Sequence, residues 1–464
     1  MNRSRKFKGL LEILLVIGLI LIIPLFFAIK SGANSPTVKS TGTSIPLSTP
    51  SISSSSPVQA NAKEPPACTF PLAQTTTAES TPEEYTFSEP QVVLTAPEGN
   101  PLDVAQWLPD NQQVLVTEGL RNQYVENNST ASQQSISLYN LETGESKLYA
   151  TRTEISASPI WQPDINGVVY SAINYTNIDK KNGVYKFTRQ LWVSYGDPNA
   201  AQLLADNLPQ LSFVIEPSGN EMMYLSDKQI SKLDKSLKKL SSASFDPAQW
   251  DYAKSRRDNN PVRYVMAWQP GTSLVFLYSW AGITSSDGGY TFILDTATGH
   301  ICELNFGGWA DSAHWSSDGR YLAIARAKSY TGLSDTIDLV VLDSVTGNLR
   351  TVGAVLPDVK GKHNVIDFTW TPDNLHLLIL QDVPSTYDPY RGETFHHELY
   401  LVDLTSDQSI HLFPEFKSFA ANIPPLNSFM WSPDNSKLLV RCPLMKPLSE
   451  IDRFCLISVQ SAKQ

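Results

Sequence analysis

One phrase occurs seven times in this chain: an apolar strand that ends at a large anchor residue, a turn-forming break, and a second apolar strand. It reads "AQWLPDNQQVLVT" at Trp107, "PIWQPDINGVVYS" at Trp161, "FVIEPSGNEMMYLS" at Ile215, "MAWQPGTSLVFLYS" at Trp268, "AHWSSDGRYLAIA" at Trp315, "FTWTPDNLHLLIL" at Trp370 and "FMWSPDNSKLLVR" at Trp431. Subtracting anchor positions gives spacings of about 47 to 61 residues, a period that belongs to repeat arrays. The breaks carry turn chemistry: Pro presets φ, Asp bonds back to the backbone, and Asn or Gly accepts positive φ. Each unit also holds a second phrase, such as "YTFILDTATGHI" or "IDLVVLDSVTGN", in which an apolar strand runs into another turn. Two phrases make four short strands. A four-stranded sheet alone leaves both faces wet, whereas seven packed around an axis bury each face against a neighbour.

The fold class expected is therefore all-β: a seven-bladed β-propeller of four-stranded antiparallel blades over residues 86–464, with the seven anchors filling the seams between blades. The 18 Tyr, 18 Phe and 10 Trp, beside only 18% charged residues, suit half-buried pleated surfaces. The last unit stops at "CLISVQSAKQ", its third strand, and lacks a fourth. Upstream of the first anchor, "EPQVVLTAPEGN" reads like an outermost strand, so Gln91 to Thr95 are expected to complete the last blade and remove its open edge.

The repeated W-S-P-D-N/G phrase resembles the TolB-like, WD-like β-propeller repeat and is similar to the propellers of prolyl oligopeptidase relatives. The resemblance covers about residues 90–464 and implies a propeller, with no particular activity. TolB itself has six blades behind a separate N-terminal domain, and the oligopeptidase relatives carry a hydrolase domain. This chain shows seven units and stops at the last of them.

Upstream of the repeats, Arg3, Arg5, Lys6 and Lys8 form a basic stub, 1–8, before the apolar run of residues 9–30. That run is long enough to span a bilayer, and the positive-inside bias keeps the stub cytoplasmic. The expectation is a single-pass signal-anchor helix in the cell membrane, with the propeller extracytoplasmic; cleavage near Ser31-Gly32-Ala33 is the competing reading. Residues 31–85 follow as a Ser/Thr/Pro-rich disordered linker. Its Ser35 to Pro82 stretch, as a flexible chain, spans roughly 35 to 40 Å. The net charge of −10 argues against a nucleic-acid partner.

There is no G-x-S-x-G turn and no G-x-x-x-x-G-K loop. "FHHELY" places His396 and His397 before Glu398 but lacks the second histidine of H-E-x-x-H, so it reads as a solvated loop end. No metal and no cofactor are expected. Of four cysteines, Cys442 and Cys455 flank a hairpin and are expected to be linked, and Cys68 and Cys302 are left open.

The turns inside the phrases are short and share one rim, whereas long segments collect on the other. These carry Tyr124, Tyr175, Tyr185, Trp250, Tyr252, Arg256, Arg257, Trp280, Tyr387, Tyr390 and Arg391, the residue types enriched at binding hot spots. The functional expectation is a monomeric, membrane-tethered binding or scaffolding module holding an envelope protein, peptide or glycan on that rim. The alternative is a propeller hydrolase or lyase acting on envelope glycans or peptides. The reading favours a binder over an enzyme.

Overall fold

The structure is a computed structural model. It describes residues 66–72, 81, 83–96, 102–119, 134–152, 155, 159–179, 184–208, 213–215, 221–226, 229–234, 236–244, 264–279, 290–306, 309–327, 337–352, 364–388, 392–414, 418–419, 429–442 and 453–463. All belong to one compact unit, Asn61–Gln464. The basic stub, the apolar run and the linker up to residue 65 lie outside the described residues. Among the described residues no helix is long and apolar enough to cross a membrane.

The chain forms a seven-bladed β-propeller of four-stranded antiparallel sheets. Blade one is Leu102–Trp107, Gln113–Glu118, Gln134–Asn140 and Ser146–Arg152, ordered from the axis outward, and each later unit repeats the pattern. Alternation alone does not place the anchors. Among the described residues four inner strands carry a bulge shortly before the anchor: between Val104 and Gln106 and between Val265 and Ala267, next to Trp107 and Trp268, and one pleat further back between Ala310 and Ser312 and between Val365 and Asp367. The extra residue shifts the pleat by one, so Val104 and Trp107 enter the same core despite their odd spacing.

The tryptophans sit in the seams. Trp107 packs with Leu439 and Phe454 of blade seven, Trp161 with Leu115 and Tyr149 of blade one, and Trp268 with Met223 and Ile230 of blade three. Trp315 packs on Phe276 and Ile293 of blade four, and Trp370 on Leu339 and Val341 of blade five. Trp431 is half-buried against Leu378 and Leu401 of blade six. Two indole N–H groups bond across a seam: Trp107 donates to the Met430 carbonyl at 3.0 Å and Trp370 to that of His314 at 2.9 Å. Ile215 ends the first strand of blade three opposite Met222.

Closure uses more of the N-terminal segment than Gln91 to Thr95. The last strand, Arg453–Lys463, pairs with Gln91–Thr95 over Arg453 to Leu456 and with Glu83–Phe87 over Val459 to Lys463. Tyr85 and Phe87 pack toward blade six, and Val93, Leu94 and Ala96 toward blade one, so the latch braces both neighbours of blade seven. The disordered-linker expectation for residues up to 85 is thus corrected at two places. Glu83–Phe87 alternates half-buried and exposed residues as a strand, and Pro66–Leu72 lies along blades four and five. There Cys68 is disulfide-linked to Cys302, with Cα atoms 4.9 Å apart, and Phe70 and Leu72 pack on the core between those blades. Ser/Thr/Pro content does not forbid order once a covalent tie and apolar side chains supply a docking surface. Cys442 and Cys455 are also linked, 13 residues apart, across the last hairpin.

Asp373, in the first turn of blade six, lies beneath the latch. Its carboxylate accepts from the Glu83 N–H at 3.1 Å, the Thr371 hydroxyl at 2.6 Å and the Leu375 N–H at 3.0 Å, and lies 2.7 Å from His376 Nδ1. The Tyr85 hydroxyl accepts the Asp373 N–H at 3.2 Å, and its ring stands edge-on to His376. Burial opposes charge on Asp373, but the bonds from His376, Thr371 and Leu375 prevail and hold its pKa at about 2. Burial likewise opposes charge on His376, and Asp373 prevails in raising it. The signs follow by linkage. Asp373 adds stability that is present above the ordinary carboxylate range and is lost as pH falls through about 4 toward 2. His376 adds stability that is full below its ordinary value of 6.5 and lost as pH rises through its raised one. Melting midpoints are expected to drop on both sides of that window, and Asp373→Asn should flatten the acid limb. An unchanged acid limb in the variant would show that the cluster is not what titrates.

Candidate functional site

The turn after the first strand and the turn after the third share one rim, and in five blades backbone bonds tie them together. Leu141 N–H donates to Gln112, Thr296 to Ser273, Ser344 to Arg320, Leu404 to Leu375 and Val459 to Ser436, each at 2.8 or 2.9 Å. Bonds also run between blades. Asn374, at φ 61°, accepts the Ser317 N–H at 2.7 Å, and Asn111, at φ 57°, accepts that of Asp434 at 3.1 Å. Gln269 Nε2 donates to the Gly319 carbonyl at 2.6 Å. The polar groups of this rim are largely consumed in holding the ring together.

The second-to-third and fourth-to-first connections occupy the opposite rim. Two segments expected there as loops are strands instead. Blade two extends as Gly167–Asp179 against Val184–Ser194, and blade six as His376–Asp388 against Gly392–Asp403. Continuing the ladder satisfies backbone donors and acceptors that a loop would leave to water. His396 and His397, expected at a loop end, lie within the second arm of blade six, opposite Val383 and Asp382. Among the described residues no group of three or more His, Cys, Asp or Glu is arranged to hold a metal ion.

Three of the eleven rim residues are placed by backbone on these arms: Tyr175 opposite Phe187, Tyr185 opposite Ile178, and Tyr387 opposite Glu393. Tyr124, Trp250, Tyr252, Arg256, Arg257, Trp280, Tyr390 and Arg391 lie outside the described residues.

A group the sequence reading missed sits on the same rim. Arg152 ends the outermost strand of blade one, and its guanidinium carbon lies 4.5 Å from the Trp192 ring centroid and 5.5 Å from that of Tyr170. These two aromatics are paired across the long hairpin of blade two, and strand parity puts Thr188, Gln190 and Trp192 on one face. Tyr170 is fully buried, and burial, only partly offset by Arg152, pushes its pKa up to about 12, so the phenol keeps its proton. Its hydroxyl, Trp192 Nε1 and Thr188 Oγ1 are buried with no acceptor among the described residues, the Arg152 guanidinium beside the phenol being itself a donor. Tyr170, Trp192 and Arg152 went unread because they sit in or at the ends of strands. The available signal was Trp192, a tryptophan in a second phrase where the other units have none.

Several arginines elsewhere are ion-paired. Arg326 meets Asp338 at 2.9 Å, and Arg441 of blade seven meets Asp103 of blade one at 3.3 Å across the closing seam. Nearer the axis, the His314 ring stands edge-on to Phe368 at 5.1 Å.

No family model and no curated protein matches the chain. Solved structures similar to it include β-propellers. A TolB from Acinetobacter baumannii is 12% identical, with a TM-score of 0.36 over 73% of this chain and 80% of its own. An oligogalacturonate lyase from Vibrio parahaemolyticus is 10% identical, with a TM-score of 0.48 over 81% of this chain and 96% of its own. The β-propeller domain of the Trilobed protease from Pyrococcus furiosus is 10% identical, with a TM-score of 0.43 over 75% and 94%. The likeness is one of fold, and no activity or partner is carried over from it.

Proposed function

We propose that the chain is a membrane-tethered, extracytoplasmic propeller that works as a binding or scaffolding module, with its ligand or protein partner held on the long-loop rim. The observation that carries this reading is the asymmetry of the rims. On one, Asn111, Asn374 and Gln269 are spent on neighbouring blades. On the other, blades two and six raise hairpins bearing Tyr175, Tyr185 and Tyr387, and Arg152 stands beside aromatic rings with no carboxylate among the described residues. The basic stub, the apolar run of residues 9–30 and the linker supply the tether.

The test compares two sets of variants against a partner recovered from the envelope by crosslinking. Tyr252→Ala, Trp280→Ala and Tyr390→Ala should each weaken binding by about 1 kcal/mol or more. Asn111→Ala and Asn374→Ala remove an inter-blade bond and a residue suited to positive φ, at a stability cost of about 1 kcal/mol or more, and should leave binding of the folded fraction intact. Loss of binding in the second set alone would put the partner on the wrong rim for this reading.

A further inference from the structure

We infer that the seam between blades one and two, where it opens at the long-loop rim, binds a carboxylate group, with the Arg152 guanidinium as its cationic partner and the Tyr170 hydroxyl and Trp192 indole N–H as further donors. This rests on the long-loop rim being the binding face and names the chemistry of what is bound there.

The charge comes first. A guanidinium carries five N–H donors, and Arg152 uses one of its nitrogens, Nη1, on the Thr151 carbonyl at 2.8 Å. Arg320, Arg326, Arg350 and Arg441 each meet an aspartate, whereas Arg152 meets two ring faces and, among the described residues, no carboxylate. Asp206, on the outermost strand of blade two, accepts from Gln190 Nε2 at 3.2 Å.

The unmade bonds point the same way. Burying a polar group without a partner costs folding free energy, so such groups are kept few. Here two of them, the Tyr170 hydroxyl and Trp192 Nε1, lie on residues paired with each other and covered by one guanidinium. Indole N–H and guanidinium only donate, and a protonated phenol has a hydrogen to give. What this cluster lacks is an acceptor carrying negative charge. A guanidinium spread over ring faces presents its remaining N–H groups along a planar edge, which matches the two oxygens of a carboxylate. Arg152 is partly exposed and is reached from solvent. The two aromatic donors lie beneath it and are engaged when the guanidinium slides along the rings toward the ligand.

The experiment uses the full-length protein in detergent, with benzoate as probe, neutral benzamide as its isostere, and inorganic phosphate, read by calorimetric binding and by the melting midpoint. Benzoate should bind saturably and raise the midpoint, benzamide should do neither, and phosphate should bind more weakly. Arg152→Met keeps an aliphatic stem on the rings, removes the charge, and should weaken benzoate by about tenfold or more. Tyr170→Phe deletes the unpaired hydroxyl, so the unliganded protein should melt at the same temperature or higher while benzoate affinity falls. Benzoate that fails to bind, or that binds Arg152→Met as well as the parent, overturns the site. Phosphate binding as tightly as benzoate overturns the carboxylate assignment. Arg152-dependent benzoate binding upholds the site even if the rim variants leave partner binding untouched, a result that would sink the wider rim reading alone.

Discussion

A chain shortened to begin at Gly99 is expected to lose cooperative unfolding and to expose the apolar seams on both sides of blade seven. The deleted segment supplies both latch strands. Without them the last strand, Arg453–Lys463, becomes an open edge along its whole length. The cores on either side also lose Tyr85 and Phe87 toward blade six and Val93, Leu94 and Ala96 toward blade one. At about 1.5 to 3 kcal/mol for each large apolar side chain, the loss is roughly 5 to 10 kcal/mol, comparable with the whole stability of an ordinary domain. Leu94→Asp is the milder probe. It buries a carboxylate where only 4% of the leucine is exposed, and should remove about 3 kcal/mol or more. A single sharp calorimetric transition at the parent midpoint, in either variant, would show that the ring closes without the latch.

The second large effect is expected from the Cys68–Cys302 link. It joins positions 234 residues apart, and the chain-entropy model puts its stabilisation at about 5 kcal/mol for a loop of that size. That figure is a ceiling, because residual structure already restricts the unfolded chain, and a loss of about 2 to 4 kcal/mol is expected for Cys68→Ala with Cys302→Ala. Alanine is the right replacement, since Cys302 is only 6% exposed and serine would bury a hydroxyl. Residues 66–72 should become sensitive to protease before the ring melts. Gly347→Ala gives an independent check on the same strap. A Cβ there would lie 2.6 Å from the Phe70 ring, and the backbone, at φ 78°, already favours glycine. If the double alanine variant melts where the parent does and stays protected at residues 66–72, the link does not hold the strap.

If the chain is tethered through residues 9–30 as proposed, the two straps share a consequence. Tension on the chain upstream of Pro66 meets blade four at Cys302 before it reaches the latch strands on blade seven. With the disulfide reduced, only the packing and backbone bonds of Pro66–Leu72 stand between the same pull and Glu83–Phe87.

Much of the architecture was legible because its causes are local. Trp107, Trp370 and Trp431 precede Pro-Asp-Asn turns whose Asn111, Asn374 and Asn435 take positive φ, and both anchor and turn are written in consecutive residues. A period of two in each strand and a period of about fifty between phrases determined strand number, blade number and the rim on which each turn falls. Counting strands also showed that the last blade wanted one more, and Gln91–Thr95 was the segment available. What the tertiary structure alone decided depends on residues far apart in the chain coming close in space. Glu83–Phe87 becomes a strand because Val459–Lys463 overhangs its own blade, and Cys68 finds Cys302 because blade four presents it. The arms of blades two and six read as loops because their polar composition hides a ladder held by backbone bonds. Arg152 lies on Trp192 and Tyr170 only because blade one is packed against blade two. Periodicity reports which face of a strand is buried, and carries no information on which distant side chain it will meet there.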